Sequence, residues 1–230
     1  MKYQGVFIKG ASGALGGLVA SHNRYGDYFR GRTTPVNPNS ARQQNMRNIF
    51  AALANAWSED LTAVQRAAWT LYSNQVTVKD SGGNDIHITG FNHFIRSNSV
   101  AIAGGVARVD DGPTTFLLGE ADATFVAVVD EATQKVTCTF DDTKDWCDED
   151  GSLLQVSMSR PASPGIIWIP PVSRVAGYIL GDSVTPPTTG TNVDCPFAVT
   201  ETQKVIVTGR ILRADGRLSG KFQHSSDVTA

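Results

Sequence analysis

The sequence predicts an α+β protein in three parts. Three observations carry that reading. Residues 1–40 hold glycines, prolines and basic side chains without sustained apolar periodicity, which marks a glycine-rich extended arm. Residues 41–112 repeat apolar side chains at helical spacing around one alternating stretch, which marks a small helical unit with a β-hairpin. Residues 113–230 break into short alternating runs separated by turn residues, which marks an antiparallel β-sandwich.

The arm opens on "VFIKGASGALGGLVAS" (6–21), which imitates a dinucleotide-binding turn. Val6, Phe7 and Ile8 supply a short apolar run into Gly10, Gly13 and Gly16. A dinucleotide site also needs a helix of several turns, a second strand and an acidic residue about 20 positions on. Here "SHNRYGDYFRGRTTPVNPNS" follows, and no βαβ unit recurs. The better reading is an extended arm or hairpin, in which glycine allows positive φ at turns. The alternation through Tyr25, Gly26, Asp27, Tyr28, Phe29 and Arg30 suits a strand. No cofactor is expected.

Pro35 and Pro38 hold the end of the arm extended, and Asn39 or Ser40 can cap the helix that follows. In "ARQQNMRNIFAALANAW", Met46, Ile49, Phe50, Leu53 and Trp57 form one stripe, with Arg42, Gln43, Arg47 and Asn55 opposite. After a break at Ser58–Leu61, Thr62 and Gln65 make a capping box. Ala68, Trp69, Leu71 and Tyr72 then supply apolar surface. Trp57 and Trp69 read as core anchors rather than stacking platforms. "VTVKDSGGNDIHIT" alternates around Ser81–Asn84 as a hairpin. A third helix carries Phe91, Phe94, Ile95, Asn98 and Ile102 on its stripe and ends at Gly104–Gly105. His93 falls off that stripe and is expected in solvent.

Beyond Gly112 the runs "ATFVAVVD", "KVTCTFDD", "LLQVSMSR", "IIWIP", "RVAGYIL", "DCPFAVT" and "QKVIVTGRILRADGRLSGKFQ" read as strands of an immunoglobulin-like sandwich. Asp215–Gly216 is the sharpest turn signal. The change of pattern there sets the expected domain boundary, giving 1–40, 41–112 and 113–230.

Composition narrows the chemistry. A chain of 230 residues buries enough surface to fold without a metal or disulfide. Cys138, Cys147 and Cys195 read as reduced packing residues, a Cys138–Cys147 bridge being the alternative. No apolar run reaches the ~18 residues of a membrane span, and the N-terminus lacks a signal-peptide pattern. Synthesis in the cytosol is expected. The net charge of −2 hides a +6 segment at residues 1–50 and a −8 remainder. A basic arm on an acidic body calls for an anionic partner, either nucleic acid or a neighbouring copy.

Within the arm, Arg24, Tyr25, Tyr28, Arg30 and Arg32 are the candidate partner-binding residues. Basic residues interleaved with aromatics can bind single strands; packing on protein is the preferred reading, and nucleic acid is not expected. The acidic loop holds Asp141, Asp142, Asp145, Asp148, Glu149 and Asp150. It could ligate Ca²⁺, but the EF-hand pattern fails and a solvated loop is preferred. Ser12 and Ser21 lack a nucleophile-elbow context, and the four histidines are scattered. Neither catalytic nor metal-binding residues are assigned. Trp146 and Trp168 are the aromatics a glycan-binding sandwich would use.

Roughly residues 10–100, and the β-rich half only loosely, resemble a group of mostly uncharacterised proteins from tailed bacteriophages and prophage regions. The shared pattern falls on Gly13–Gly17, Arg24–Arg32, Asn37–Pro38, Trp57, Leu61–Thr62, Gln65–Arg66, Trp69, Thr89–Gly90, Phe94 and Asn98. The resemblance implies a non-enzymatic virion structural protein. It would meet capsid or other virion proteins as a homo-oligomer or symmetric array, as a capsid decoration protein ahead of a tail or neck component.

Overall fold

The computed structural model describes residues 13–24, 26–80, 82–166, 169 and 173–230. Val6, Phe7, Ile8, Gly10, Tyr25, Ser81 and Trp168 lie outside them. The chain forms two compact units, residues 1–43 and residues 44–230.

In the first unit the expected extended arm is a three-stranded antiparallel meander, β1 (Gly13–Leu15), β2 (Leu18–Asn23) and β3 (Gly26–Gly31). The Gly16–Gly17 turn joins β1 to β2, with Gly16 at φ 58°. Such tight hairpin turns need positive φ, which glycine adopts without strain. The segment after Gly16 is therefore a strand, where a dinucleotide fold requires a helix. The ladder extends past β3, since the Arg32 amide donates to the Gly17 carbonyl at 2.8 Å.

Helix α1 (Ala41–Asn55) starts at a reciprocal cap. The Gln43 amide donates to Ser40 Oγ at 3.4 Å, and the Ser40 amide donates to Gln43 Oε1 at 3.1 Å. Of its expected stripe, Ile49 and Leu53 are buried, Met46 and Trp57 are partly covered, and Phe50 is 45 % exposed. The expected break is a π turn at Ala56–Asp60, closed by the Leu61 amide on the Ala56 carbonyl at 2.9 Å. Arg66 Nη1 donates to the carbonyls of Trp57 and Ser58, both at 3.1 Å, which satisfies acceptors a helix end leaves open.

Helix α2 (Ala63–Gln75) begins with the Thr62–Gln65 capping box. Trp69 and Tyr72 are fully buried, while Leu71 is 51 % exposed and does not join the core. A minimal hairpin, β4 (Val78–Lys79) and β5 (Asp85–Ile86), leads to α3 (Gly90–Ala103). Gly90 sits so close to α2 that an added Cβ would lie 2.7 Å from the Thr70 amide nitrogen. Thr89 caps α3 from one residue earlier.

Seven strands follow: β6 (Val126–Asp130), β7 (Lys135–Thr139), β8 (Leu153–Ser159), β9 (Ser173–Leu180), β10 (Thr191–Asp194), β11 (Lys204–Leu212) and β12 (Phe222–Thr229). They form one large, mostly antiparallel sheet in the order β10-β7-β6-β12-β11-β8-β9. The exception is β12 with β6, parallel through Val228↔Val129 and Thr229↔Asp130. The two outer strands approach each other, for Gly177 of β9 packs on the Val193 side chain of β10. The sheet thus curls round a single core that includes Val129, Val136, Val156, Met158, Ile179, Val193 and Val207. "DCPFAVT" contributes only its first residue to β10, and the rest is irregular.

The helices and the sheet are not separate bodies. Phe94 of α3 packs with Trp69 and Tyr72, while Val100 and Ala101 of the same helix pack with Leu153, Leu212 and Leu218. The linker is pinned to the helices as well. Trp69 Nε1 donates to the Asp110 carbonyl at 2.9 Å, and Asn98 both donates to the Val109 carbonyl at 3.0 Å and accepts from its amide at 2.7 Å. Residue 112 therefore marks a change of secondary structure inside one unit rather than a break between two.

Candidate functional site

The residues assigned to partner binding fall on the small meander. Register places Arg30 opposite Val19 and Tyr28 opposite Ser21, so these four share one face. Asp27 and Phe29 share the other with His22 and Ala20. Arg24 stands in the β2–β3 turn and Arg32 just past β3; Tyr25 is outside the described residues. Arg24, Arg30 and Arg32 are exposed and Tyr28 is half-buried. Among the residues of 13–31 whose side chains are described, none is buried. Asp27 is the sole acidic side chain of residues 1–43, which carry a net charge of +5. Residues 44–230 carry −7.

The acidic loop 141–150 spends its carboxylates locally. Asp141 accepts from Thr143, Asp142 from the Thr189 amide, and Asp150 from the Ser183 amide and hydroxyl. Arg213 pairs with Glu149 at 2.6 Å and reaches Asp145 at 3.5 Å. Among the described residues no three His, Cys, Asp or Glu side chains converge as metal ligands. Trp146 is buried against Phe140, so it offers no open ring to a sugar. The three cysteines are unbridged. Burial pushes the Cys138 and Cys147 thiols up to about 12 and Cys195 to about 11, which suppresses the reactive thiolate.

An open groove lies between residues 106–111 and 150–151, and its charges are mutually satisfied. Arg108 bonds Asp60 and Asp110, and Asp111 accepts from Gln65.

A third cluster escapes sequence reasoning altogether. His93, expected in solvent, is 1 % exposed and sits edge-on to Tyr72 with ring centroids 5.0 Å apart. Neither ring nitrogen has a hydrogen-bond partner. Burial, reinforced by the nearby charges of Arg96 and His87, holds its pKa down at about 4, so the ring is neutral near pH 7. Burial likewise pushes Tyr72 up to about 12, and its hydroxyl donates to the Leu117 carbonyl at 3.0 Å. Arg96 follows His93 by one turn. Its Nη1 donates to the Leu218 carbonyl at 3.2 Å and its Nη2 to the Ser219 carbonyl at 3.1 Å. Desolvation, with the field of Arg210 added, depresses the Arg96 pKa to about 10. Arg210 of β11 has a buried Nε with no acceptor, and its pKa is lowered by desolvation. The helical stripe of α3 hid this cluster, because its members come from three elements up to 138 positions apart (Tyr72 to Arg210).

No protein-family model and no curated protein matches the chain. Among solved structures it is similar to a Fn3-like protein from Clostridium thermocellum, with 13 % identity, 48 % of this chain and 97 % of that chain covered, and a TM-score of 0.29. No helix among the described residues is long and apolar enough to cross a membrane.

Proposed function

We propose that the chain is a non-enzymatic structural component of a bacteriophage particle, most simply a capsid decoration protein whose basic N-terminal sheet engages a neighbouring acidic protein surface. The carrying observation is the separation of charge between two compact units, +5 on residues 1–43 and −7 on residues 44–230. A small sheet without a buried residue among those described gains little from its own packing, since isolated strand pairs are marginal in water. Docking supplies the missing burial. The motif residues shared with the phage proteins serve as the frame of the helices: Arg66 and the Thr62–Gln65 box close helix ends, and Trp69 and Asn98 pin the linker. The curled sheet completes the subunit as a sandwich of immunoglobulin-like type. A tail or neck position is the second reading, favoured by nothing beyond the same resemblance.

The test uses a phage carrying Arg30→Glu with Arg32→Glu. Both side chains are exposed, so the free subunit should keep its stability within about 0.5 kcal/mol. The amount of the protein in purified particles should fall, and binding of the wild-type subunit should weaken with salt. Normal incorporation of the double variant refutes the docking role. Absence of the wild-type chain from purified particles refutes the virion assignment.

A further inference from the structure

We propose that Arg96 and Arg210 form a binding site for a small tetrahedral oxyanion, phosphate or sulfate, between α3 and the outer face of the sheet. Val205, Val207 and Ile211 of β11 point into the sheet core, so Arg210 stands on the opposite face. Register sets Gln155 of β8 directly opposite Arg210, and the neighbouring pair is Thr208 with Ser157. Gln155 and Arg210 thus share a polar patch beside Leu212, where α3 crosses the sheet.

Arg96 reaches this patch from α3. The Ser219 carbonyl that it holds belongs to a residue bound twice to Ile211: the Ser219 amide donates to the Ile211 carbonyl at 2.8 Å, and the Ile211 amide donates to Ser219 Oγ at 2.9 Å. The Arg96 guanidinium therefore holds a residue that is itself bonded to Ile211, the chain neighbour of Arg210. Two of its five N–H groups are committed to carbonyls, leaving three. Arg210 adds an Nε–H with no acceptor at all.

What the patch lacks is negative charge. Arg96 and Arg210 make no ion pair among the described residues. The ionisable groups facing Arg96 are Arg210, Tyr72 from α2 and His93 on its own helix, and Tyr72 in turn faces Arg217 and Asp215 from the turn after β11. His93 is neutral and Tyr72 stays protonated. Asp215, the single carboxylate, is bonded to Arg217 at 2.6 Å. Two half-buried guanidinium groups without a counter-charge repel each other more than they would in water, and a charge withdrawn from water gains from a partner. A tetrahedral oxyanion accepts from planar guanidinium donors in pairs, so it meets the free N–H groups of both arginines and can take a further one from the Gln155 amide.

The experiment follows thermal unfolding of the full chain at pH 7 in phosphate or sulfate against chloride at matched ionic strength. In the wild type the midpoint should rise with the logarithm of anion concentration, by about 3–6 °C at a tenfold excess of anion over its dissociation constant. Arg210→Gln should keep only the small response, linear in salt concentration, common to excluded salts. Arg210→Glu supplies Arg96 with an internal partner; in chloride it should unfold at a higher temperature than Arg210→Gln and ignore phosphate. Calorimetric titration of the wild type with inorganic phosphate gives the same answer without a variant, as one saturable site. Equal anion responses in wild type and Arg210→Gln, no saturable heat, or an Arg210→Glu protein less stable than Arg210→Gln would each overturn the proposal.

Discussion

Mild acid should destabilise this protein through His93. The ring is buried with both nitrogens unpaired, and its pKa is about 4 in the folded state against about 6.5 for an exposed histidine. Between those values the unfolded chain binds a proton that the folded chain refuses. The contribution is therefore complete above pH 6.5, declines as the pH falls, and is lost below pH 4. A gap of about 2.5 units at about 1.4 kcal/mol each gives roughly 3 kcal/mol in all, of which about 2 kcal/mol has gone by pH 5. His93→Phe isolates this effect, because phenylalanine keeps an aromatic ring against Tyr72 and removes both the titration and the orphaned nitrogens. Asp80, Asp141 and Asp182, held below the usual carboxylate range by local hydrogen bonds, are unchanged in the variant and cancel in the comparison. Urea unfolding of both proteins at pH 7, 6 and 5 and constant ionic strength supplies the measurement. The stability of His93→Phe relative to wild type should grow by about 2 kcal/mol from pH 7 to 5. A difference independent of pH would show that the imidazole titrates normally, and so reaches water or an acceptor.

Two further outcomes follow from the packing. Trp69→Ala should cost about 3–5 kcal/mol in denaturant unfolding, and Trp57→Ala less, about 2–3 kcal/mol, since Trp57 is only partly buried beside Phe91 and Phe94; equal losses would contradict that ranking. Residues 113–230 expressed alone should show no cooperative unfolding, because removing α3 uncovers Leu153, Leu212 and Leu218, whereas 44–230 should unfold in one transition; a cooperative 113–230 fragment would restore the boundary at Gly112.

Local patterns in the chain determined the local structure. The Thr62–Gln65 box, the Ile49–Leu53 stripe, the Asp215–Gly216 turn and the alternating runs of β6 to β9 and β11 each depend on residues a few positions apart. Their spacing therefore reads directly as helix, cap, turn or strand. The candidate partner-binding arginines were legible in the same way, as charge within one short segment. What sequence periodicity misjudged has one physical cause, burial on more than one side. A stripe assumes a helix with a single covered face, but α3 is packed between α2 and the sheet, so His93 and Ser97 are buried as well as Phe94. The same junction turns Gly112 from a boundary into a contact, with an added Cβ only 2.6 Å from the backbone of α2. The parallel pairing of β12 with β6 and the meeting of Arg96 with Arg210 join residues about 100 positions apart or more. Only tertiary packing brings such residues together, because the energy that holds them comes from the shared core and not from any local preference of the chain.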